Sequence, residues 1–287
     1  MKLVDSHAHL DDPRFASDLD SVIQRAKHQG VETILTVGCL GEDSGVPDRV
    51  NSLLDRWSCL FAAFGVHPHD ARFMSDVWEF KLFELMKESR VLAWGEIGLD
   101  YFYDNSPREV QREVFARQAR LAKESGKPII VHTRDAEEDA LRILQKVFPE
   151  GSERSGVLHC FTGSGELAEA CLRLGFYISF GGILTFKKAD ALRAVAEQIP
   201  EDRLLIETDS PYLAPVPHRG KRNEPSFVSC VLDMLAEIRG VPRETLASRL
   251  DRNFKSLFGP PEVRLESGPS SRRPAGSRHR EEQREEG

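Results

Sequence analysis

No stretch of the chain reaches 18 consecutive apolar residues, and only Lys2 stands between the initiator Met1 and a histidine-containing segment. A membrane-spanning helix needs about 20 apolar residues and a secretory signal needs an apolar stretch near its start, so neither is expected. Cysteine is also scarce: Cys39, Cys59, Cys160, Cys171 and Cys230 are widely spaced, odd in number and never set as C-x-x-C. This pattern argues against a disulfide framework and suits reduced thiols in a soluble, cytoplasmic protein. The formal net charge of -7 leaves no global basic footprint for wrapping nucleic acid. It does not exclude an enzyme whose bound cations meet phosphate. Nothing in the chain implies a membrane or an obligate protein partner, and no internal repeat is found.

What is present is a rhythm of apolar, β-rich runs separated by amphipathic stretches, uninterrupted until about Phe258. Strands are expected near 2–6, 32–37, 60–65, 91–97, 128–132, 156–159, 176–180 and 203–208, each followed by helical spacing. After Pro107, for example, Val110, Val114, Phe115, Leu121 and Ala122 return to one face before Gly126 and Pro128 stop the helix. Eight such units predict an α/β fold, a single (β/α)8 TIM-like barrel over residues 1–258. From Gly259 to Gly287 the chain turns to Pro, Ser, Arg and Glu without Phe, Trp or Tyr. That segment is expected to be a disordered tail, because it has too little apolar surface to offset the entropy of ordering.

The stretch Leu3-Val4-Asp5-Ser6-His7-Ala8-His9-Leu10-Asp11 places two imidazoles two residues apart at the end of the first strand. Strand alternation would put Asp5, His7 and His9 on one face, and two histidines there make half a metal site. Other strand ends supply partners. His67 and His69 follow strand three, Glu96 and Asp100 end strand four, His132 ends strand five, His159 ends strand six, and Glu207 and Asp209 end strand eight. Active sites of βα barrels sit at these ends. Burying so many imidazoles and carboxylates together without a cation would cost several kcal/mol, so the set reads as metal ligands.

Five to seven nitrogen and oxygen ligands exceed one tetrahedral shell, and two ions are implied. A carboxylate has two oxygens, so Glu96 is the candidate bridge. Two cations about 3.5 to 4 Å apart can clamp both oxygens of a phosphoryl displacement and acidify water, which points to hydrolysis.

These residues resemble the TatD family of metal-dependent deoxyribonucleases, amidohydrolase-like TIM barrels. The similarity runs through Leu3–Asp11, Gly65–His69, Gly95–Tyr101, Val131–Ala136, His159–Gly163, Leu205–Pro215 and Arg219–Pro225, in that order, and does not extend to the tail. The resemblance implies that His7, His9 and Asp209 hold one divalent metal, that His132 and His159 hold the other, and that Glu96 bridges them. It also implies 3′ to 5′ nuclease action on DNA ends, with Mg or Mn in use. The histidine-rich set suits Zn or Mn better, and metal identity stays open.

Around the centre, Asp209 is the expected general base as well as a ligand, and Glu207 either orients a neighbour or forms a buried ion pair. His67 is expected either to contact substrate or leaving group or to support the ligands from behind. Arg134 either reaches a phosphate or pairs with a site carboxylate. Lys187, Arg219 and Lys221 follow strands seven and eight, where such barrels often bind phosphate, and Tyr212 and Phe186 flank them as stacking candidates. Cys160 is expected to point away from the site as a small core residue. The alternatives are a hydrolase of the same fold acting on another bond, such as the ester of a misacylated tRNA, or a non-catalytic metal-stabilised scaffold.

Overall fold

A computed structural model describes residues 1–259, so the segment expected to form the tail lies, from residue 260, outside the described residues. Eight parallel strands follow one another around a barrel in chain order: β1 (Leu3–Ala8), β2 (Val31–Leu40), β3 (Leu60–Val66), β4 (Val91–Asp100), β5 (Ile129–Arg134), β6 (Gly156–Leu158), β7 (Phe176–Phe180) and β8 (Leu204–Ile206). The helices that alternate with them are α1 (Leu19–His28), α2 (Val46–Arg56), α3 (Asp76–Leu85), α4 (Arg108–Glu124), α5 (Glu137–Val147), α6 (Gly165–Arg173), α7 (Asp190–Gln198) and α8 (Val228–Arg239), with α9 (Arg243–Phe258) after them. The expected fold and its strand order are as observed.

β8 is short, and the seam between it and β1 is closed just beyond its end. Asp209 N–H donates to the His7 carbonyl at 2.9 Å, and His9 N–H donates to the Ser210 carbonyl at 2.7 Å. Local chemistry sets many helix boundaries. Ser75 and Ser164 cap α3 and α6 by accepting from Trp78 N–H and Leu167 N–H, and Gly240, at φ 62°, ends α8 in the left-handed region.

Two apolar layers hold the barrel. The outer one packs helices on strands through side chains such as Phe115 of α4 and Trp94 of β4, both buried. Each such side chain contributes roughly 1.5–3 kcal/mol on leaving water. The inner layer includes Val4, Leu35, Phe61, Ile130 and Tyr177, and its floor is Phe254, Leu257 and Phe258 of α9. The final helix thus closes the end of the barrel away from the histidines, a role its apolar stripe alone did not announce.

One expectation about β1 is corrected. Val4 and Ser6 face the interior, Ser6 Oγ meeting Ser179 Oγ at 3.1 Å, whereas Asp5 turns outward to accept from Thr208 N–H at 2.8 Å and Thr208 Oγ–H at 2.6 Å. Asp5 lies opposite Ile34 and Ala8 opposite Thr36, so three steps on β1 face two on β2. This bulge shifts the alternation by one residue and swings His7 and His9 inward. A matching irregularity on β4, where Trp94 pairs with Ile129 and Ile97 with Val131, leaves Trp94 outside and turns Glu96 in. Beyond it, Gly98 at φ 146° runs so close to β5 that a Cβ there would meet the His132 carbonyl oxygen at 1.9 Å, which excludes any side chain.

Candidate metal centre

The two bulges bring the strand-end histidines and carboxylates to one point at the floor of a cavity of about 750 Å³ in the barrel mouth. Glu96, almost fully buried, stands in the middle, and its two oxygens face different partners. Oε2 lies 3.3 Å from His7 Nε2 and 3.6 Å from His9 Nε2. Oε1 lies 2.9 Å from His132 Nδ1, 2.7 Å from His159 Nε2 and 3.3 Å from His67 Nε2. Asp209 Oδ1 joins the first group, 3.5 Å from His9 Nε2 and 3.8 Å from His7 Nε2. Asp209 adopts φ 57°, a left-handed conformation that Asp tolerates better than most side chains, and this turn directs it back over the site.

The donor set fits cations. His9 Nδ1–H donates to the Val37 carbonyl at 3.2 Å, which leaves its Nε2 lone pair aimed at His7 Nε2, 3.1 Å away. His132 Nε2–H donates to Asp100 Oδ2 at 3.0 Å, and that frees Nδ1 towards Glu96. Ring nitrogens and carboxylate oxygens thus converge in three overlapping groups among the described residues: His7 with His9 and Glu96, His67 with Glu96 and His132, and His7 with His159 and Asp209. His7 Nδ1 is buried without a hydrogen-bond partner among the described residues, and the ring stacks on His159 with centroids 4.0 Å apart.

His67 differs from the other imidazoles. Its Nδ1 accepts from the His69 N–H at 3.2 Å, so the proton sits on Nε2, the atom that faces the site. Burial pushes its pKa down to about 4, against the attraction of Glu96. At neutral pH it is an uncharged N–H donor rather than a lone pair. Burial also raises the Glu96 carboxyl, but the surrounding imidazoles outweigh it and hold the group well below the usual range.

The supporting residues are positioned from several elements. Gln111 of α4 accepts from Asp100 N–H at 2.8 Å and donates to the Asp100 carbonyl at 3.1 Å, fixing the end of β4. Asp100 Oδ2 also meets His69 Nε2 at 3.0 Å. Glu207 accepts from Ser179 Oγ–H at 2.6 Å and from Cys160 N–H, and its Oε1 lies 3.3 Å from His159 Nδ1. It therefore orients the end of β6. Cys160, expected to face away, is corrected: at φ 43° it leaves the strand conformation and lines the cavity.

The expected substrate contacts scatter. Arg134 and Tyr212 line the cavity; Arg134 pairs with no described carboxylate and lies over the Phe102 ring at 3.8 Å. Arg219 stacks on Phe186 at 3.8 Å, while Lys187 and Lys221 are exposed and outside the described cavity lining. Arg222, in the same basic cluster, is held by Asp18 through two contacts of 2.8 Å. Sequence reasoning missed Arg49, Cys39 and Tyr103, which also line the cavity. Arg49 carries no motif signal; it reaches the mouth from α2, where it meets Asp11 at 3.3 Å and Asp43 at 2.8 Å.

Among the described residues no helix is long and apolar enough to cross a membrane, and all five cysteines are free. Comparison with known proteins matches residues 4–259 to the family described as TatD related DNase. A protein of Bacillus subtilis named as the uncharacterized metal-dependent hydrolase YabD is 46% identical over 89% of this chain and 98% of its own. The Shigella flexneri protein named 3′-5′ ssDNA/RNA exonuclease TatD is 36% identical over 90% of this chain and 99% of its own. The crystal structure of YjjV, a TatD homolog from Escherichia coli, superposes with a TM-score of 0.82 at 33% identity, covering 90% of this chain and 98% of that one. Since these matches span the barrel and every strand end that contributes to the cavity, the chain belongs to the TatD family of metal-dependent hydrolases.

Proposed function

We propose that the protein is a phosphodiesterase with two divalent ions that removes nucleotides from DNA ends, in the 3′ to 5′ direction. The observation that carries this reading is the division of Glu96: one oxygen faces His7 and His9, the other His132 and His159. His7, His9 and Asp209 would hold one ion, His132 and His159 the other, with Glu96 between them. Zn, Mn or Mg in these places would supply Lewis acidity, polarising a phosphoryl oxygen and lowering the pKa of water.

The chain's own groups do the rest. Asp209 orients the attacking water and accepts its proton. His67, neutral and carrying its proton on Nε2, donates a hydrogen bond to a phosphoryl or leaving oxygen. Arg134, which has no described carboxylate partner and lines the cavity, would meet a neighbouring phosphate. A nucleic acid substrate is further supported by the exonuclease name of the Shigella relative.

The test is a turnover screen with end-labelled linear and covalently closed single-stranded DNA in Zn, Mn or Mg. Metal-dependent release of mononucleotides from the 3′ end of linear strands, with circles resistant, is the expected result. Equal cutting of circles, or activity confined to a misacylated tRNA ester, overturns it.

A further inference from the structure

Large aromatic side chains are normally buried, and among the described residues only Phe80, Phe102, Tyr103 and Tyr212 are exposed. The last three stand around the barrel mouth. Tyr212 flanks the His9 side, ring centroids 5.9 Å apart, with the Arg14 guanidinium 4.3 Å over its ring. Phe102 and Tyr103 flank the opposite side, where Tyr103 meets His69 edge-on at 5.4 Å. They touch each other edge-on at 5.0 Å, and Arg134 lies 3.8 Å from the Phe102 ring centre and 4.9 Å from that of Tyr103. Even so, Phe102 is 55% and Tyr103 56% exposed.

This pair is not a loose loop. Asp100 Oδ1 accepts from Phe102 N–H at 3.0 Å and from Tyr103 N–H at 2.8 Å, while its Oδ2 holds His132. One carboxylate thus fixes both the centre and the aromatic turn. We propose that Phe102 and Tyr103, backed by Arg134, form a stacking site for one unpaired nucleobase on the His132 side of the cleft, across the centre from Tyr212 and Arg14.

The chemistry selects a base. Every nucleobase has a π-face and tolerates any aromatic partner, and guanidinium groups beside the rings suit the phosphates on either side. Bases within a duplex are already stacked on their neighbours, so a shelf of this kind takes single strands or frayed ends. The inference rests on the nucleic acid reading above and adds where a base flanking the scissile phosphate is held.

The experiment measures binding of short labelled single strands with nuclease-resistant phosphorothioate links by fluorescence anisotropy, using the metal-loaded protein. Each strand carries an abasic residue at one successive position. Wild type is expected to lose roughly 5- to 100-fold in affinity when one particular position is abasic, the usual range for one stacked base. The Phe102→Ala, Tyr103→Ala double variant should lose a similar factor on intact strands and show no further penalty at that position. The double variant Phe102→Tyr, Tyr103→Phe should keep the wild-type pattern. If wild type binds these strands and cuts their phosphodiester counterparts while the alanine variant matches it, the stacking site is wrong and the nuclease reading stands. If wild type neither binds nor cuts any strand, both fall.

Discussion

Asp100 accepts a hydrogen bond from the far nitrogen of His132, Oδ2 to Nε2 3.0 Å, while the near nitrogen of the same ring lies 2.9 Å from Glu96. The carboxylate therefore chooses the tautomer of a proposed ligand without reaching the ion. Asp100→Asn can present its amide N–H instead and favour the wrong tautomer. Affinity at the His132–His159 position should fall about 10- to 100-fold, the common cost of losing such a partner, with the other position less affected. Calorimetric titration of metal-free protein reads both; two unchanged binding constants would sink the assignment.

Stoichiometry tests the bridge. Metal-saturated wild type is expected to hold close to two ions per chain, and Glu96→Ala fewer, because both groups lose a shared oxygen. Elemental analysis decides, and one ion per chain at saturation in wild type refutes the dinuclear centre.

Asp209→Asn should fold normally, since Asn accepts the left-handed backbone at φ 57° as readily as Asp. It removes the basic oxygen, so turnover should drop roughly 100-fold or more, the scale of a lost general base. Near-native turnover with metal occupancy verified would move the proton acceptor to another group.

Far from the centre, Arg25 grips Glu224 with contacts of 2.8 and 2.6 Å. Burial raises the Glu224 carboxyl, but Arg25 and Ser226 outweigh it and the net shift is downward. A carboxyl lowered on folding contributes stability above its unfolded pKa, about 4.3, and loses it as pH falls through the folded value. The stability gap between wild type and Arg25→Met, measured by urea unfolding, should be widest near neutrality and shrink below about pH 4.3. A gap independent of pH would mean that Arg25 acts through packing alone.

Phe254 is fully buried in the barrel floor. Phe254→Ala should cost about 3–5 kcal/mol, as emptying an aromatic core site commonly does. Metal stoichiometry should persist in the folded fraction, because the floor and the mouth lie at opposite ends; loss of both ions from folded protein would show the ends to be coupled.

The barrel and the strand-end residues are legible because strand ends carry their proposed ligands in short motifs such as Gly95-Glu96-Ile97-Gly98 and Val131-His132-Thr133. Asp5 was misplaced because its direction depends on a bulge, and a bulge is set by how β1 pairs with β2 rather than by its own residues. Cys160 failed similarly, since alternation no longer applies once φ turns positive. Basic residues after β8 all look alike in sequence, yet Arg222 pairs with Asp18 and Arg219 stacks on Phe186. Their partners come from distant segments, which no local pattern contains.

The seam between β1 and β8 also governs when the centre can exist. Thr208 and Asp5 bond across a separation of 203 residues, and His7 and His9 meet Asp209 along the same join. Contacts between residues so far apart in sequence carry a large loop-closure cost. During vectorial synthesis His7 and His9 are made long before Asp209, the carboxylate that would complete their proposed site. Products that stop before strand eight would therefore hold only part of the proposed ligand set, and the proposed centre would be complete only in chains that have closed the ring.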